Sequence, residues 1–163
     1  METWPIVAVF TQGMASPFSG VLLAHLYPFP FAVAALLAEP KDGFETMASE
    51  LARKGMKAHA PATIVGKSGV KHEFAFALIQ DPGKAKVVVD TELSVRDVDE
   101  MKVLKFYVKV FDVGPEKAVL CVSPKLAPRA ATLAKEYGIT VLEDEVPKKL
   151  IPMAEKLVNE TVG

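Results

Sequence analysis

The first regular pattern of apolar positions has helical spacing. The residues Phe44, Met47, Ala48 and Leu51 recur at the intervals of one helical face. Gly55 follows, and glycine is the residue that most often ends a helix. The pattern therefore predicts an amphipathic helix that starts at Phe44 and packs on a core through this face.

The segments that follow have the composition of β-strands. Met56–Val65 predicts a short strand that Pro61 interrupts, and a proline in a strand favours the edge of a sheet. Two further runs, Lys71–Gln80 and Lys84–Leu93, predict strands. They are separated by Asp-Pro-Gly at residues 81–83, a sequence typical of a hairpin connection.

A second helix is predicted after these strands. Asp97 followed by Glu100 has the spacing of a capping box, and Gly114-Pro115 marks the end of the helix. One side of this helix carries Val98, Met101, Leu104, Lys105, Val108 and Phe111.

The remaining chain alternates strands and helices. We expect a strand at Lys117–Val122, a helix at Pro128–Tyr137, a strand at Ile139–Leu142 and a last helix from about Pro147 to Val158. The unbroken apolar run at 119–122 predicts a strand covered on both faces. Alternating strands and helices favour parallel pairing with right-handed crossovers. The sequence therefore predicts an α/β domain over residues 44–163, with a mixed central sheet flanked by helices.

The N-terminal segment differs in composition from this domain. Residues 1–40 contain no Lys or Arg and only two acidic residues. Val21–Ala38 is long enough to raise the question of a membrane span, but Pro28 and Pro30 interrupt it and basic flanks are missing. We expect an apolar extension at 1–43 and no membrane segment. This apolar segment is expected to be buried in one of two ways. It packs on the domain's own core, or it packs against a partner, which is a second copy of the chain or another protein.

Composition and charge narrow the function classes. The 163 residues are 50% apolar and 24% charged, which is typical of a soluble globular protein. The net charge of −1 disfavours a general nucleic-acid binder, which usually has a basic balance. The single cysteine, Cys121, lies in an apolar run and is expected to be buried. The absence of a disulfide pattern favours the cytoplasm.

The candidate chemistry lies in two segments. Residues 66–74, Gly-Lys-Ser-Gly-Val-Lys-His-Glu-Phe, form a glycine-rich turn that leads into a strand. Val87-Val88-Val89 then leads to Asp90 and Glu92, and residues i and i+2 of a strand point to the same face. Two carboxylates are therefore expected side by side at the end of a buried strand.

This order of elements resembles the PD-(D/E)XK nuclease superfamily, and is similar to archaeal relatives of the Holliday-junction resolvases and Mrr-type restriction enzymes. The resemblance covers about residues 44–145 and implies a restriction-endonuclease-like fold. The segments that carry it are Leu51-Ala52-Arg53-Lys54-Gly55-Met56, the residues 66–74 quoted above, Val87-Val88-Val89-Asp90, the helix from Lys102 to Lys109, and the half that runs from Cys121-Val122-Ser123 to Leu142.

The resemblance also implies a Mg²⁺ site. Active members hold the metal with one acid on the second strand and one on the third, and a lysine two residues after the third-strand acid orients the attacking water. Here the third-strand acid is Asp90, and Glu92 stands at the lysine position. The second-strand position falls on Glu73 or on Ala75. A carboxylate in place of the cation indicates a degenerate site.

An active variant of the site stays open as an alternative. The cation would then come from Lys102 or Lys105 on the following helix, and Glu73 and Asp90 would hold Mg²⁺ beside Glu92. Glu45 or Glu50 of the first helix is a further source of a ligand.

Contacts with nucleic acid are expected at the glycine-rich turn. Lys67, Ser68 and Lys71 give it a basic and hydrogen-bonding character. Lys102, Lys105 and Lys109 lie on one helical stripe, which is either a phosphate-facing patch or a solvated face. Arginine, the residue that dominates base-specific recognition, is scarce in this chain.

Two functions remain at this stage. The first is a non-catalytic, restriction-endonuclease-like binding module without a cofactor, which acts through protein contacts, linked to transcription or DNA processing, or through DNA. The alternative is a Mg²⁺-dependent DNA nuclease that uses Asp90, Glu92, Lys102 and Lys105, with the metal on Glu73 and Asp90.

Overall fold

The structure is a computed structural model, and it describes residues 41–80 and 84–162. This part of the chain contains four α-helices, seven strands and one 3-10 turn. The helices are α1 (Lys41–Arg53), α2 (Glu100–Val113), α3 (Pro128–Glu136) and α4 (Leu150–Val162). The strands are β1 (Lys57–His59), β2 (Ala62–Val65), β3 (Lys71–Phe74), β4 (Phe76–Gln80), β5 (Lys84–Leu93), β6 (Lys117–Ser123) and β7 (Thr140–Glu143). The 3-10 turn, Pro147–Lys149, leads into α4.

Five strands form a central mixed sheet in the order β1-β4-β5-β6-β7. The pairs β1–β4 and β4–β5 are antiparallel, whereas β5–β6 and β6–β7 are parallel. Strands β2 and β3 form a separate antiparallel hairpin. The predicted α/β class, a mixed central sheet flanked by helices, is confirmed. The parallel pairing expected for the second half is also confirmed.

The central sheet separates two cores, because successive residues of a strand point to opposite faces. On one face Val88, Leu120 and Val122 pack with α2 and α3. On the other face Val87, Val89, Val119 and Cys121 pack with α1 and α4. The face predicted for the first helix is confirmed, and its residues Phe44, Met47, Ala48 and Leu51 are buried. Burial on both sides also confirms the prediction for residues 119–122.

Cys121 lies at the centre of the sheet and is fully buried. Burial raises the pKa of its thiol to about 12, with a further contribution from the negative charge of Asp90. The residue is therefore a buried small hydrophobic side chain, as the sequence predicted, and its thiol stays protonated at neutral pH.

Two local predictions differ from the structure. The cap of α2 is Asp99, whose Oδ1 accepts a hydrogen bond from Lys102 N at 3.2 Å, and the predicted capping box at Asp97 is wrong. The run predicted as one strand, Lys71–Gln80, divides at Ala75 into β3 and β4. The first part pairs with β2 and the second joins the central sheet, because the edge partner changes from β2 to β1 across Pro61.

The predicted N-terminal extension falls almost wholly outside the described residues, as does the Asp-Pro-Gly connection at 81–83. Helix α1 starts at Lys41. Among the described residues, no helix has both the length and the apolar character needed to cross a membrane.

Candidate functional site at the end of strand β5

Strand β5 changes from fully buried to polar at Asp90. Residues 87–89 are completely buried, and the four residues that follow are partly exposed. Asp90 and Glu92 lie on the same face of β5 as Val88, which packs in the core under α2. Both carboxylates are therefore directed to α2, and the predicted pair of acids at a strand end is present.

Asp90 forms an ion pair with Lys109 of α2. The distance from Lys109 Nζ to Asp90 Oδ2 is 2.7 Å. The same ammonium donates to the backbone oxygen of Glu73 at 3.0 Å and lies 5.5 Å from the centre of the Phe74 ring. The other carboxylate oxygen, Oδ1, accepts a hydrogen bond from Thr91 N at 3.1 Å. Lys109 therefore joins α2, β3 and β5 at one point.

The environment of Asp90 disfavours its charged form. Only 21% of the Asp90 side chain is exposed, compared with 33% for Lys109. Burial raises the pKa of Asp90 above its usual range, against the lowering effect of the hydrogen bond and positive charge of Lys109. The hydrogen bond and positive charge of Lys109 therefore offset part of the cost of burying this carboxylate.

Glu92 has its own partner on α2, since Lys102 Nζ lies 2.8 Å from Glu92 Oε2. The contact raises the pKa of Lys102, chiefly through the hydrogen bond to Glu92. Lys102 and Lys109 are two helical turns apart, about 10 Å, and the two acids are about 7 Å apart along β5. Because the earlier lysine pairs with the later acid, α2 runs back along β5 in the direction opposite to the strand.

A pocket of about 450 Å³ opens beside Asp90. Apolar side chains form part of its wall, and the charged residues contribute three carboxylates and two ammonium groups. The lining residues are Lys41, Phe44, Glu45, Pro61, Glu73, Phe74, Ala75, Asp90, Thr91 and Lys109. Within residues 41–80 and 84–162, no group of three or more His, Cys, Asp or Glu is arranged to hold a metal ion.

The two expected metal ligands come from different sheets. Glu73 belongs to β3 of the hairpin, is exposed, and lines the pocket together with Asp90. Strand β4 begins with Phe76 opposite Val89, so the residue next in register to Asp90 is Ala75. The position next to Asp90 in the central sheet therefore carries a methyl group, and Glu73, the other candidate for the second-strand acid, lies two residues before it on β3.

The candidate cations on α2 differ in their surroundings. Lys102 contacts Glu92, and Lys105 lies on the exposed side of the helix. The cation at Asp90 is Lys109, which the sequence placed only on the lysine stripe. The signal that could have identified it is the spacing of seven residues from Lys102, which returns to the same side of a helix after two turns.

The glycine-rich turn between β2 and β3 is attached to the end of α2. Asp112 Oδ1 accepts from Ser68 N at 2.8 Å, and Asp112 Oδ2 accepts from Ser68 Oγ at 2.6 Å. His72 Nε2 lies 2.7 Å from the same Oδ2. These hydrogen bonds, with those of Ser68 first, lower the pKa of Asp112 to about 2. Sequence patterns did not reveal this contact, because 40 residues separate Asp112 from His72.

The three residues expected to contact nucleic acid differ in what they contact within the domain. Lys67 and Lys71 are exposed on the turn and the start of β3. Ser68 is exposed too, but both its amide and its hydroxyl donate to Asp112. The contacts with nucleic acid remain a prediction.

Comparison with known proteins finds solved structures of similar fold. No protein-family model matches the chain, and no curated protein matches its sequence. A protein of unknown function, AF1548, superposes with a TM-score of 0.48 and 14% identity over 72% of this chain and 66% of its own. Can2 from Sulfobacillus thermosulfidooxidans, in complex with cyclic tetra-adenylate, superposes with a TM-score of 0.49 and 16% identity over 73% of this chain and 35% of its own. Similarity at this level concerns the fold alone.

Proposed function

We propose that this chain is a non-catalytic, restriction-endonuclease-like binding module of the cytoplasm. It acts through contacts with a protein or with DNA, in a role linked to transcription or DNA processing. The observation that carries the proposal is that each acid at the end of β5, Asp90 and Glu92, is paired with a lysine of α2.

Charge balance is the physical reason. A Mg²⁺ site normally concentrates negative charge, because carboxylate oxygens replace part of the water around the ion. Here two carboxylates meet two ammonium groups, so the end of β5 carries no net charge. Lys109 Nζ also lies directly against Asp90 Oδ2, where a metal ion would bind. The donor set in this arrangement does not fit Mg²⁺.

A Mg²⁺-dependent DNA nuclease is the second candidate, and one observation favours it. Glu45 and Glu73 line the same pocket as Asp90, and Lys109 holds a cation beside that acid. A lysine next to the third-strand acid is what the resemblance implies for an active member. For this function Lys109 would have to release Asp90, or bind the phosphate beside it.

Cleavage assays separate the two candidates. The full chain is incubated with labelled single-stranded, duplex and branched DNA in the presence of Mg²⁺ or Mn²⁺. We expect no cleavage by the wild type, by Asp90→Ala or by Lys109→Gln. Cleavage by the wild type that both variants abolish would establish the nuclease and overturn the proposal.

Metal binding gives an independent measurement. In calorimetric titration with Mn²⁺, we expect no saturable binding to the wild type, because the ion pairs balance the acids. The control variant for Mn²⁺ binding is Lys105→Gln, which removes an exposed lysine of the same helix that does not pair with either acid. Specific Mn²⁺ binding to the wild type that Asp90→Asn abolishes would show that Asp90 holds a metal ion, and this would contradict the proposal.

The contacts with DNA are tested through the β2–β3 turn. We expect duplex DNA to bind with an affinity that falls as salt rises, and Lys67→Ala with Lys71→Ala to reduce both the affinity and the salt dependence. Lys135→Ala with Lys148→Ala is a control that removes the same charge from other parts of the surface. Binding that both pairs reduce equally would show that this turn is not the contact, and absence of binding would leave protein contacts as the function.

A further inference from the structure

Helix α2 has apolar residues on two opposite sides. One side packs on the sheet, where Val103 and Phe106 are buried and Val110 and Val113 are partly buried. The other side carries Met101, Val108 and Phe111, which are 56%, 61% and 71% exposed, together with the partly exposed Leu104. The sequence grouped these four residues on one side of the helix, and the structure shows that this side faces outward.

The spacing of the exposed residues has a structural meaning. Met101, Leu104, Val108 and Phe111 are separated by three, four and three positions, which is the a/d pattern of two heptads. In this register the four residues that pack on the sheet occupy positions c and f, on the side away from the seam: Val103, Phe106, Val110 and Val113. An a/d seam is the surface that packs against another helix, so the outer side of α2 fits a helical partner.

We propose that the partner is α2 of a second copy of this chain, packed in parallel across a two-fold axis. The charges beside the seam support this choice. Glu100 precedes the first a position and is a g residue, and Lys105 is the e residue five positions later. In a parallel pair of helices, a g residue faces the e residue of the partner five positions further on. Glu100 of each copy therefore faces Lys105 of the other, twice in the dimer.

The size of the seam predicts its strength. Two heptads bury on the order of a few hundred Å² per copy, compared with about 800 Å² per partner in a typical stable complex. The dimer is therefore expected to form reversibly, with a dissociation constant in the micromolar range. This interface is formed by α2 alone, and it differs from the self-association expected through residues 1–40.

Sedimentation equilibrium of the full chain tests the interface. We expect the wild type to change from monomer to dimer as concentration rises, and Val108→Asp to raise the dissociation constant at least about tenfold. Val95→Asp is the matched control, because Val95 is 57% exposed but lies before the helix. Circular dichroism verifies that both variants fold. Equal weakening by the two variants would overturn the proposal.

Charge reversal tests the orientation of the helices. Lys105→Glu is expected to weaken the dimer by about tenfold, because it places two acids opposite each other. Glu100→Lys combined with Lys105→Glu is expected to restore it. A wild type that stays monomeric at every concentration overturns the proposal. If, in addition, Val108→Asp lowers the melting temperature of that monomer, the seam is covered within the chain.

Discussion

Helix α2 takes part in two contacts that involve a carboxylate, and the surroundings shift the pKa values of these two carboxylates in opposite directions. At β5 the acid belongs to the sheet, and burial raises the pKa of Asp90 despite its partner Lys109. At the β2–β3 turn the acid belongs to the helix, and three hydrogen bonds lower the pKa of Asp112 to about 2. Lys109 therefore offsets part of the burial cost of the Asp90 charge, whereas three hydrogen bonds stabilise the charge of Asp112.

The largest effect is expected from removal of the lysine at Asp90. In Lys109→Met, the mostly buried Asp90 loses the ammonium group that pairs with it, and an uncompensated buried charge is costly. We expect the free energy of unfolding at neutral pH to fall by about 2 kcal/mol, less than for a fully buried pair because the site is partly exposed. Urea denaturation measures this difference.

Two variants control this prediction. Lys148→Met removes an exposed lysine outside both the site and the helix seam and should change the stability by less than about 0.5 kcal/mol. Asp90→Asn combined with Lys109→Met should recover most of the loss, since it removes the charge together with its partner. A Lys109→Met protein as stable as the wild type would show that Asp90 does not depend on the lysine.

Substitution of Gly66 tests whether the hydrogen bonds to Asp112 hold the β2–β3 turn on α2. A Cβ atom at this position would overlap the carboxylate of Asp112. Gly66→Ala should therefore displace Asp112 and destabilise the domain by about 1 kcal/mol, with loss of protection at the Ser68 amide in hydrogen exchange. Gly69→Ala is the control, because its Cβ meets no atom within 4 Å and only its positive φ of 84° is strained. Protection of Ser68 retained in Gly66→Ala would argue against this attachment.

The two aspartates are expected to give pH effects of opposite sign. The pKa of Asp112 is lowered from 3.8 to about 2, so its contribution to stability is complete above pH 3.8 and is lost as the pH falls to 2. The unfolding midpoint of Asp112→Asn should therefore decrease less than that of the wild type between pH 5 and pH 2. Equal decreases in the two proteins would contradict the lowered pKa.

Asp90 is expected to show the opposite dependence of stability on pH. Because its pKa is raised above 3.8, its contribution to stability is present below pH 3.8 and is lost as the pH rises through the folded-state pKa. Asp90→Asn should remove this gain, so the variant should lose more stability than the wild type on acidification. Thermal unfolding followed by circular dichroism at a series of pH values measures both aspartates.

The smallest effect is expected at the outer ion pair. The side chain of Lys102 is 47% exposed, and exposed pairs contribute little because water and salt screen them. Lys102→Ala should change the free energy of unfolding by less than about 0.5 kcal/mol, and high salt should remove the difference. A loss comparable to that of Lys109→Met would mean that both ion pairs are structurally equivalent.

Local sequence patterns predicted the elements better than the contacts between them. The buried face of α1 and the bounds of β5 follow from short-range periodicity, and both agree with the structure. The division at Ala75 could not be predicted, because no proline or glycine marks it and the cause is a change of partner strand. Which side of α2 is buried could not be predicted either, since apolar residues occupy both of its sides.

In the candidate site, too, the sequence predicted the positions of residues within an element but not the contacts between elements. The acids Asp90 and Glu92 could be placed on one strand face from their spacing alone. Which lysine meets which acid depends on the angle and register of α2 against β5, and these are set by core residues such as Val103 and Phe106. The contact between Asp112 and His72 depends in addition on the path of the hairpin.

The burial of Cys121 supplies a natural probe of unfolding kinetics. It is the only cysteine in the chain, and its thiol lies in the core between the central sheet and helices α1 and α4, without access to solvent. A thiol-specific reagent can alkylate it only in molecules that have opened. When alkylation is faster than refolding, the rate of modification equals the opening rate, so every variant described above can be compared kinetically without an added label.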